Sequence, residues 1–553
     1  DFSADMDFFG LATMNANGWF NSEGNFDIQL RGELVLGSRS WGAVGNFSIR
    51  AWLTGDANQN DLSFGISLSA SLKLKAAGYT LAGVSFSFTA SVDQATAGPN
   101  GRAKIRVEAT GELEFLFFTI DFDVDVTVGY LQLPPPVYLA GGAGNTVAAQ
   151  RAWSGGTLYL NMGDYREGAR NLGVGDPNEY FIIENAGGTA GNETIKVLYG
   201  GREQTFEGVT DIKAFGGSGN DQLIVREGVR SNVHFNGGAG NNVFDFEGTG
   251  LATYTGGAGK DVVTVGTQAL VAAIINTYGT DLTSTDADTV TIFSSSGATI
   301  RTGGGDDLIF GGSGVEVVYA GGGNDYFLSN GGVDQFFGEG GNDKMEITLT
   351  GARGIVFNGG SDVADIDSIE ITATGSSEGF VFKDLADSVA LVEATGAKAT
   401  YITMTDAEQA TLDTGRGSDE VKVEDISDTT LRTLYINLGD GAGGTDAQAD
   451  AVVVEGSDGE DEFIITNASA EAPNDIKAFV QIAATWSGAA ATINLRVTNA
   501  GRGEGDTLEI LAKGDDDDID ADALALNTLA LTLRGEAGND TIVGSRYLDV
   551  IDG

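Results

Sequence analysis

Residues 302–346 read TGGGDDLIF, GGSGVEVVY, AGGGNDYFL, SNGGVDQFF and GEGGNDKME when the sequence is cut every nine residues. Each of these five nonamers has glycine at its fourth place and an acidic residue at its sixth. The eighth place is always apolar, and is filled by Ile309, Val318, Phe327, Phe336 and Met345. Five copies in unbroken register indicate a repeating structural unit.

The spacing predicts how such a unit folds. Six glycine-rich residues make a turn, because several positions need backbone angles that other residues resist. Three residues then make a short strand whose middle side chain points inward. If two nonamers complete one coil, turns eighteen residues apart stack on one another. Asp307, Asp325 and Asp343 then form one column, and Glu316 and Asp334 form the opposite one.

These nonamers resemble the repeats-in-toxin (RTX) calcium-binding nonapeptide, which forms a parallel β-roll in bacterial surface-layer proteins and large adhesins. The resemblance implies that Ca²⁺ binds between stacked turns, with the sixth-place carboxylates as ligands. Turn residues such as Gly303, Gly305, Gly321 and Gly323 then supply carbonyl oxygens, which suit the six to eight oxygen ligands of calcium. Since Glu316 departs from the aspartate of the family, we expect its site to be weaker or empty.

The same motif occurs singly elsewhere in the chain. The residues at its sixth place are Asp221, Asn242, Asp261, Asp419, Asp461, Asp540 and Asp549. The first three are about twenty residues apart, which predicts one glycine turn per coil and a different turn opposite. For these isolated copies the sequence leaves two interpretations open, a calcium site or a turn kept for its shape.

Composition narrows the possible partners. The 553 residues include 83 glycines but only 6 prolines, which favours many tight turns between strands over collagen or a proline-rich linker. The net charge of −48 argues against nucleic acid and anionic lipid as partners. It is compatible with bound divalent cations or with a strongly solvated surface. There is no cysteine and one histidine, His234, so thiolate and multi-histidine metal sites are excluded.

Residues 1–133 have a different pattern, in which apolar and polar residues alternate over long runs. One such run places Ile120, Phe122 and Val124 between aspartates. A period of two predicts half-buried strands, with hairpin turns at Asn17-Gly18 and at residues 99–101. We therefore predict an all-β protein, a parallel β-roll or β-solenoid with calcium-binding glycine-rich turns, preceded by an antiparallel long-stranded sandwich or sheet.

Three sequence matches indicate an internal duplication. LYLNMGD at 158–164 resembles LYINLGD at 434–440, EYFII at 179–183 resembles DEFII at 461–465, and DIKAF occurs at both 211–215 and 475–479. The predicted division is therefore a β domain at 1–133 and a solenoid unit at 137–358 with its regular β-roll at 302–346. A connecting β segment at 359–399 and a second, truncated unit at 400–553 follow.

The resemblance implies a secreted protein that leaves by type I export and lies outside the cell or on its surface. Without an apolar run of transmembrane length or a signal peptide at Asp1, the sequence reads as a segment of a longer protein. We expect a non-enzymatic structural protein of a surface layer, filament, matrix or adhesin stalk, which self-associates or contacts a cell-surface polymer. The alternatives are an extracellular polysaccharide-active enzyme working through carboxylates, and a carbohydrate-binding adhesin with Trp19, Trp41 and Trp52 as sugar platforms.

Overall fold

The computed structural model describes most of the chain in separate ranges. These are residues 2–8, 12–20, 26–37, 42–54, 63–76, 79–93, 102–115, 118–132, 138–143, 153–163, 178–279, 285–349, 354–361, 364–385, 388–393, 400–440, 444–468, 479–488, 492–525 and 529–553. The chain divides into two compact units, Asp1–Tyr138 and Leu139–Gly553.

The first unit is an eight-stranded antiparallel sheet in which each strand pairs with the next along the chain. Its strands are β1 Phe2–Phe8, β2 Ala12–Phe20, β3 Phe26–Gly37, β4 Gly42–Thr54, β5 Ser63–Ala76, β6 Tyr79–Asp93, β7 Arg102–Phe115 and β8 Phe118–Gln132. The predicted long antiparallel strands are therefore present, in a single sheet. The side chains of Arg50 and Asp27 form an ion pair across the sheet, and this pairing lowers the pKa of Asp27.

One predicted hairpin turn in this unit is wrong. Asn17 and Gly18 lie inside β2, where Asn17 pairs with Ser3 on one side and with Gln29 on the other. Pairing on both sides keeps the segment extended despite its turn-forming sequence. The second predicted turn, at 99–101, lies outside the described residues. Trp19 is half-buried on β2, whereas Trp41 lies outside the described residues.

The second unit is built from many short strands. They are β9 Ala140–Gly141, β10 Gly156–Leu160, β11 Tyr180–Thr189, β12 Asn192–Tyr199, β13 Arg202–Phe215, β14 Gln222–Val225, β15 Asn232–Asn236, β16 Val243–Phe246, β17 Ala252–Thr255, β18 Val262–Val265, β19 Ala273–Asn276, β20 Thr289–Ile292, β21 Ala298–Gly304, β22 Leu308–Phe310, β23 Glu316–Gly322, β24 Tyr326–Ser329, β25 Gln335–Gly340, β26 Lys344–Thr348, β27 Ile355–Gly360, β28 Ser368–Thr372, β29 Gly379–Asp384, β30 Ser388–Glu393, β31 Thr400–Thr405, β32 Gln409–Asp413, β33 Glu420–Val423, β34 Thr433–Asn437, β35 Ala451–Glu455, β36 Glu462–Ala468, β37 Phe479–Thr485, β38 Ile493–Thr498, β39 Thr507–Leu511, β40 Asp518–Asp520, β41 Ala530–Arg534, β42 Thr541–Val543 and β43 Val550–Asp552.

Most of these strands pair in parallel with the strand two places along the chain, which is the winding of a β-solenoid. We name the stacks of parallel strands ladders A to D. Ladder A is β10, β13, β15, β17, β19, β21, β23, β25, β27 and β31; ladder B is β11, β14, β16, β18, β20, β22, β24, β26, β28, β32, β34 and β38; ladder C is β29, β33, β35, β39, β41 and β43; ladder D is β36, β40 and β42. The predicted parallel β-solenoid is confirmed.

The core of the regular roll follows the predicted pattern. All five eighth-place residues of the nonamers between 302 and 346 are fully buried. Phe327 and Phe336 stack with their ring centroids 5.7 Å apart, and Phe336 stacks on Phe357 at 5.9 Å. Turns eighteen residues apart lie in register, since Gly303 pairs with Gly321 in β21 and β23.

Three antiparallel meanders interrupt the parallel winding, at β11–β12–β13, β29–β30–β31 and β36–β37–β38. The first two sequence matches fall on comparable strands, β10 with β34 and β11 with β36. Of the third match, residues 211–215 end β13 and Phe479 begins β37, whereas residues 475–478 lie outside the described residues, so this correspondence stays a prediction. Within 359–399, β28 and β29 also pair in parallel, with β32 and β33. The division into units at 358 and 400 stays a prediction.

Candidate metal sites

The turns between ladder A and ladder B repeat one backbone geometry. In two successive turns of the regular roll, the second and fourth residues have positive φ, 98° and 115° at Gly303 and Gly305, and 112° and 130° at Gly321 and Gly323. A Cβ on Gly321 would collide with the carbonyl oxygen of Gly303 in the turn before it. Glycine is therefore needed both for the backbone angle and for the close approach of stacked turns.

The first glycine of the motif makes room for the acidic side chain five residues later. A Cβ on Gly338 would collide with the carboxylate of Asp343, and Gly216 stands in the same relation to Asp221. The sixth-place carboxylate thus folds back over its own turn. Asp343 is 0 % exposed in this arrangement. Asp307 and Asp325 are 2 % and 1 % exposed, although Thr302 and Ala320 stand at the first place of their turns.

The buried side chains form a hydrogen-bonded column along ladder B. The backbone N–H of each residue that precedes a strand donates to the side-chain oxygen of the equivalent residue one coil later, at 2.7 to 2.9 Å. The members of this column are Glu179, Asp221, Asn242, Asp261, Asp288, Asp307, Asp325, Asp343, Asp367 and Glu408. The predicted column of Asp307, Asp325 and Asp343 is therefore part of a longer one.

Only one oxygen of each carboxylate is used in this way. The second oxygen, Oδ2, is buried and has no hydrogen-bond partner at Asp261, Asp307, Asp325 and Asp343. Burial raises the pKa of Asp307 to about 6, that of Asp343 to about 7 and that of Asp325 to about 8. A buried carboxylate oxygen without a donor is unfavourable unless a proton or a cation reaches it.

The opposite column contains Glu316 and Asp334, as the eighteen-residue spacing predicts. The backbone N–H of Glu316 donates to Asp334 Oδ1 at 2.8 Å, and the Ser329 hydroxyl donates to Asp334 Oδ2. Both carboxylate oxygens of Glu316 are buried without a partner. Burial raises the pKa of Glu316 to about 8, with the neighbouring Asp334 carboxylate as a second cause.

At Asn242 the chain itself fills the place of a cation. Its Oδ1 accepts the backbone N–H of Asp221 at 2.9 Å, so its Nδ2 takes the position of the second carboxylate oxygen. Nδ2 donates to the carbonyl oxygens of Gly238 and Gly240, the second and fourth residues of the same turn, at 3.3 and 3.0 Å. In this turn, two carbonyls and the second side-chain atom therefore face one point. An aspartate in this place would present a second oxygen, instead of the amide, to the two carbonyls.

Two other predicted site residues also have donors of their own. Asp461 accepts hydrogen bonds from the backbone N–H and the hydroxyl of Ser457, and Asp549 accepts the same pair from Ser545. Both serines stand at the second place of the turn, where the turns of the regular roll have glycine, asparagine or glutamate. Because these hydrogen bonds already stabilise the carboxylates of Asp461 and Asp549, both sites have less need of an ion.

Ladders C and D have shorter columns of the same kind. Asp419 joins a column with Glu378, Asp450 and Asp506, and Asp540 joins one with Asp461 and Asp517. The Oδ2 atoms of Asp419 and Asp517 are buried without a partner. Sequence reasoning missed the column members that lack a glycine motif, which are Glu179, Asp288, Asp367, Glu378, Glu408, Asp450 and Asp506. An acidic residue directly before an alternating apolar strand is the signal that identifies them. Asp517 belongs to the acidic run 515–518, for which the sequence allows an ion-binding loop but favours a solvated one.

Carboxylates alone do not complete a metal site. Within the residues that the structure describes, no three acidic or histidine side chains converge to hold an ion. Backbone carbonyls must therefore supply much of the ligand set, as the Asn242 turn illustrates. A site made only of oxygen atoms, with few carboxylates, favours Ca²⁺ over transition metals.

The sequence pattern of the RTX calcium-binding nonapeptide repeat matches four copies within residues 295–327, 311–345 and 532–553. The chain carries RTX calcium-binding repeats. The matched RTX segments coincide with the most regular turns and with the Asp307, Asp325 and Asp343 column. No curated protein matches the chain.

The residues of the RTX turns fit calcium. The unpaired oxygens of Asp307, Asp325 and Asp343, with the carbonyls of the second and fourth turn residues, would hold the ion. Calcium would supply the positive charge that these buried oxygens lack. The role of each named residue as a ligand stays a prediction. Across the described ranges, no helix has the length and apolar character needed to span a bilayer.

Proposed function

We propose that this chain is a calcium-dependent extracellular structural protein of a surface layer, filament, matrix or adhesin stalk. Its β-roll folds when calcium binds, and the folded roll assembles with other copies or with a surface polymer. The observation that carries the proposal is the buried acidic column of ladder B, in which Asp307, Asp325 and Asp343 each leave an oxygen unpaired.

Calcium dependence follows from the energetics of the coil. Ordering one residue costs roughly 1–2 kcal/mol of backbone entropy, and each nonamer buries only one large apolar side chain completely. The buried carboxylates also repel one another, since Asp307 and Asp343 both destabilise the ionised form of Asp325. Extracellular calcium modules typically bind at about 10⁻⁴ to 10⁻³ M. The roll is then unfolded at cytosolic calcium and folded outside the cell.

A role in assembly is supported by the surface of the regular roll. Outward-facing residues here are poor in charge, and Leu308, Val315 and Val333 are 37 %, 50 % and 36 % exposed. In a protein with a net charge of −48, such a surface allows two copies to approach with little repulsion. Calcium bound to acidic side chains at other faces would reduce the remaining repulsion.

The same surface offers little support for a sugar platform. Tyr319 is covered on one side by the guanidinium of Arg301, 4.7 Å from its centroid. On the other side it stacks on Phe337 with centroids 5.0 Å apart and an interplanar angle of 10°. Because both faces of the ring are occupied, it cannot stack on a pyranose.

We further propose that the chain is not an enzyme.

Negative-stain microscopy and sedimentation of the full chain, in calcium and in chelator, test this function. The proposal predicts ordered sheets or fibres in calcium that dissolve in chelator. The variant Asp325→Ala, which removes the carboxylate without supplying an amide in its place, should lower the amount of assembly at limiting calcium, whereas Asp306→Asn, which removes the same charge from an exposed turn residue, should not. Discrete monomers under all calcium concentrations would contradict the structural role.

A further inference from the structure

The turn at 512–517 reads AKGDDD and lacks the glycines of the RTX motif at its first, second and fourth places. It also lies outside the segments that match the RTX repeat. By sequence it resembles a solvated acidic loop between β39 and β40. Its geometry is nevertheless that of the turns in the regular roll.

Three contacts place this turn in register with the RTX turn at 535–540. The backbone N–H of Asp517 donates to Asp540 Oδ1 at 3.1 Å, as each column residue does to the next coil. The backbone N–H of Asn539 donates to Asp516 Oδ1 at 2.8 Å, as Asn324 does to Asp306 in the regular roll. Gly514 forms a parallel bridge with Ala537.

The backbone angles agree as well. Lys513 and Asp515 have φ of 79° and 76°, at the second and fourth places where Gly321 and Gly323 have positive φ. Residues with side chains seldom adopt this conformation. The matched RTX turn shares the exception, since Glu536 has φ of 67° at its second place. The chain thus keeps the turn geometry here although the sequence disfavours it.

The turn contains a buried oxygen that no protein donor reaches. Asp517 is 2 % exposed; its Oδ1 accepts the N–H of Asp461 at 2.8 Å, and its Oδ2 is buried without a partner. The one cationic side chain of the turn, Lys513, is directed elsewhere, with its ammonium 3.0 Å from Glu455 Oε2. The carbonyl of Asp515 points into the seam, since a Cβ on Gly538 would collide with it.

We infer that the seam between turns 512–517 and 535–540 is a further calcium site, held by the carboxylates of Asp517 and Asp540 and by backbone carbonyls of both turns. The inference rests on the proposed calcium dependence of the RTX turns and extends it to a turn without the motif. Such a site is defined by left-handed backbone at the second and fourth places and by an unpaired buried oxygen at the sixth place. These features identify it better than the glycines of the motif do.

The variant Asp517→Asn tests the site. An asparagine keeps the Oδ1 acceptor for Asp461 and can direct its amide to the turn carbonyls, as Asn242 does, so the fold is retained without the ion. Calcium bound per chain, measured by equilibrium dialysis and native mass spectrometry, should fall by one ion. The control Asp516→Asn removes the same charge from an exposed neighbour and should leave the number unchanged.

A third variant, Asp325→Asn, separates the possible failures. If Asp325→Asn loses calcium while Asp517→Asn binds as much as the unmodified chain, the new site is refuted and the role of the RTX turns stands. If neither variant loses calcium, the proposed function itself is refuted. Far-UV circular dichroism in saturating calcium checks the fold, and if Asp517→Asn is unfolded, Asp540→Asn on the other side of the seam takes its place with the same expected loss.

Discussion

The substitution Asn242→Asp should make its turn dependent on calcium, whereas the unmodified turn needs no ion. In the structure the Asn242 amide donates to two carbonyls of its own turn, while its Oδ1 accepts the N–H of Asp221. Aspartate keeps the Oδ1 contact but replaces the donor with an oxygen that faces those carbonyls. The new side chain then has the environment of Asp325 in the regular roll.

The size of the effect follows from the lost contacts. Each neutral hydrogen bond contributes about 1 kcal/mol net, so the two amide bonds account for about 2 kcal/mol. A buried acceptor left without a partner adds about 1–3 kcal/mol. In chelator the variant should therefore lose about 3–5 kcal/mol of local stability, by the sum of these two contributions. In millimolar calcium most of this loss should disappear, because the ion occupies the place of the amide.

Urea unfolding of the full chain, monitored by hydrogen exchange of β15 to β18, measures this difference. The same samples should bind one more calcium ion per chain than the unmodified protein. The reverse substitution Asp325→Asn is the matched control, and should make the regular roll more stable in chelator. Equal destabilisation of Asn242→Asp with and without calcium would refute the interpretation of the amide as a substitute for the ion.

Three other predictions follow from the same geometry. Gly321→Ala should destabilise the roll by roughly 1–3 kcal/mol from backbone strain alone, whereas Gly322→Ala, whose nearest backbone neighbour is 4.0 Å from the new Cβ, should have little effect on the unfolding midpoint. Phe336→Ala should cost about 3–5 kcal/mol as a fully buried aromatic, and thermal unfolding should show a smaller loss for the half-exposed Phe337→Ala; equal losses would contradict the assigned strand faces. In chelator, stability should fall as pH rises from 5 to 9, because the pKa of Asp325 is raised by burial from 3.8 to about 8, so the folded state binds more protons than the unfolded state in this range. In calcium, stability should instead rise with pH, because protons compete with the ion for the carboxylates at low pH. An unfolding midpoint in chelator that does not change with pH would show that these carboxylates are not buried.

The regular roll was predictable because its period is visible in single residues. The eighteen-residue spacing placed Asp307, Asp325 and Asp343 in one column, and the apolar eighth place identified the core. Both features depend only on local turn and strand geometry, which five consecutive nonamers specify without interruption.

The rest of the column was not predictable from the glycine motif. Asp288 occupies the same buried position without the preceding glycines, and Asp367 occupies it with Gly359 eight residues earlier instead of five. The position is therefore determined by the start of a strand and not by the turn sequence alone. Which turns need a metal ion was also not predictable, since this depends on whether a donor such as Ser457 reaches the second carboxylate oxygen, or whether an amide such as that of Asn242 replaces this oxygen. The correspondence of the identical pentapeptides at 211–215 and 475–479 stays a prediction, because a short match does not specify its strand partners.

Hydrogen exchange of the full chain, followed by mass spectrometry in calcium and in chelator, tests most directly whether the ion holds the roll together. Backbone amides of β21 to β26 should be strongly protected in calcium and should exchange like an unfolded chain once calcium is removed. Protection of these strands that is the same in both conditions would mean that the stacked aspartates need no cation.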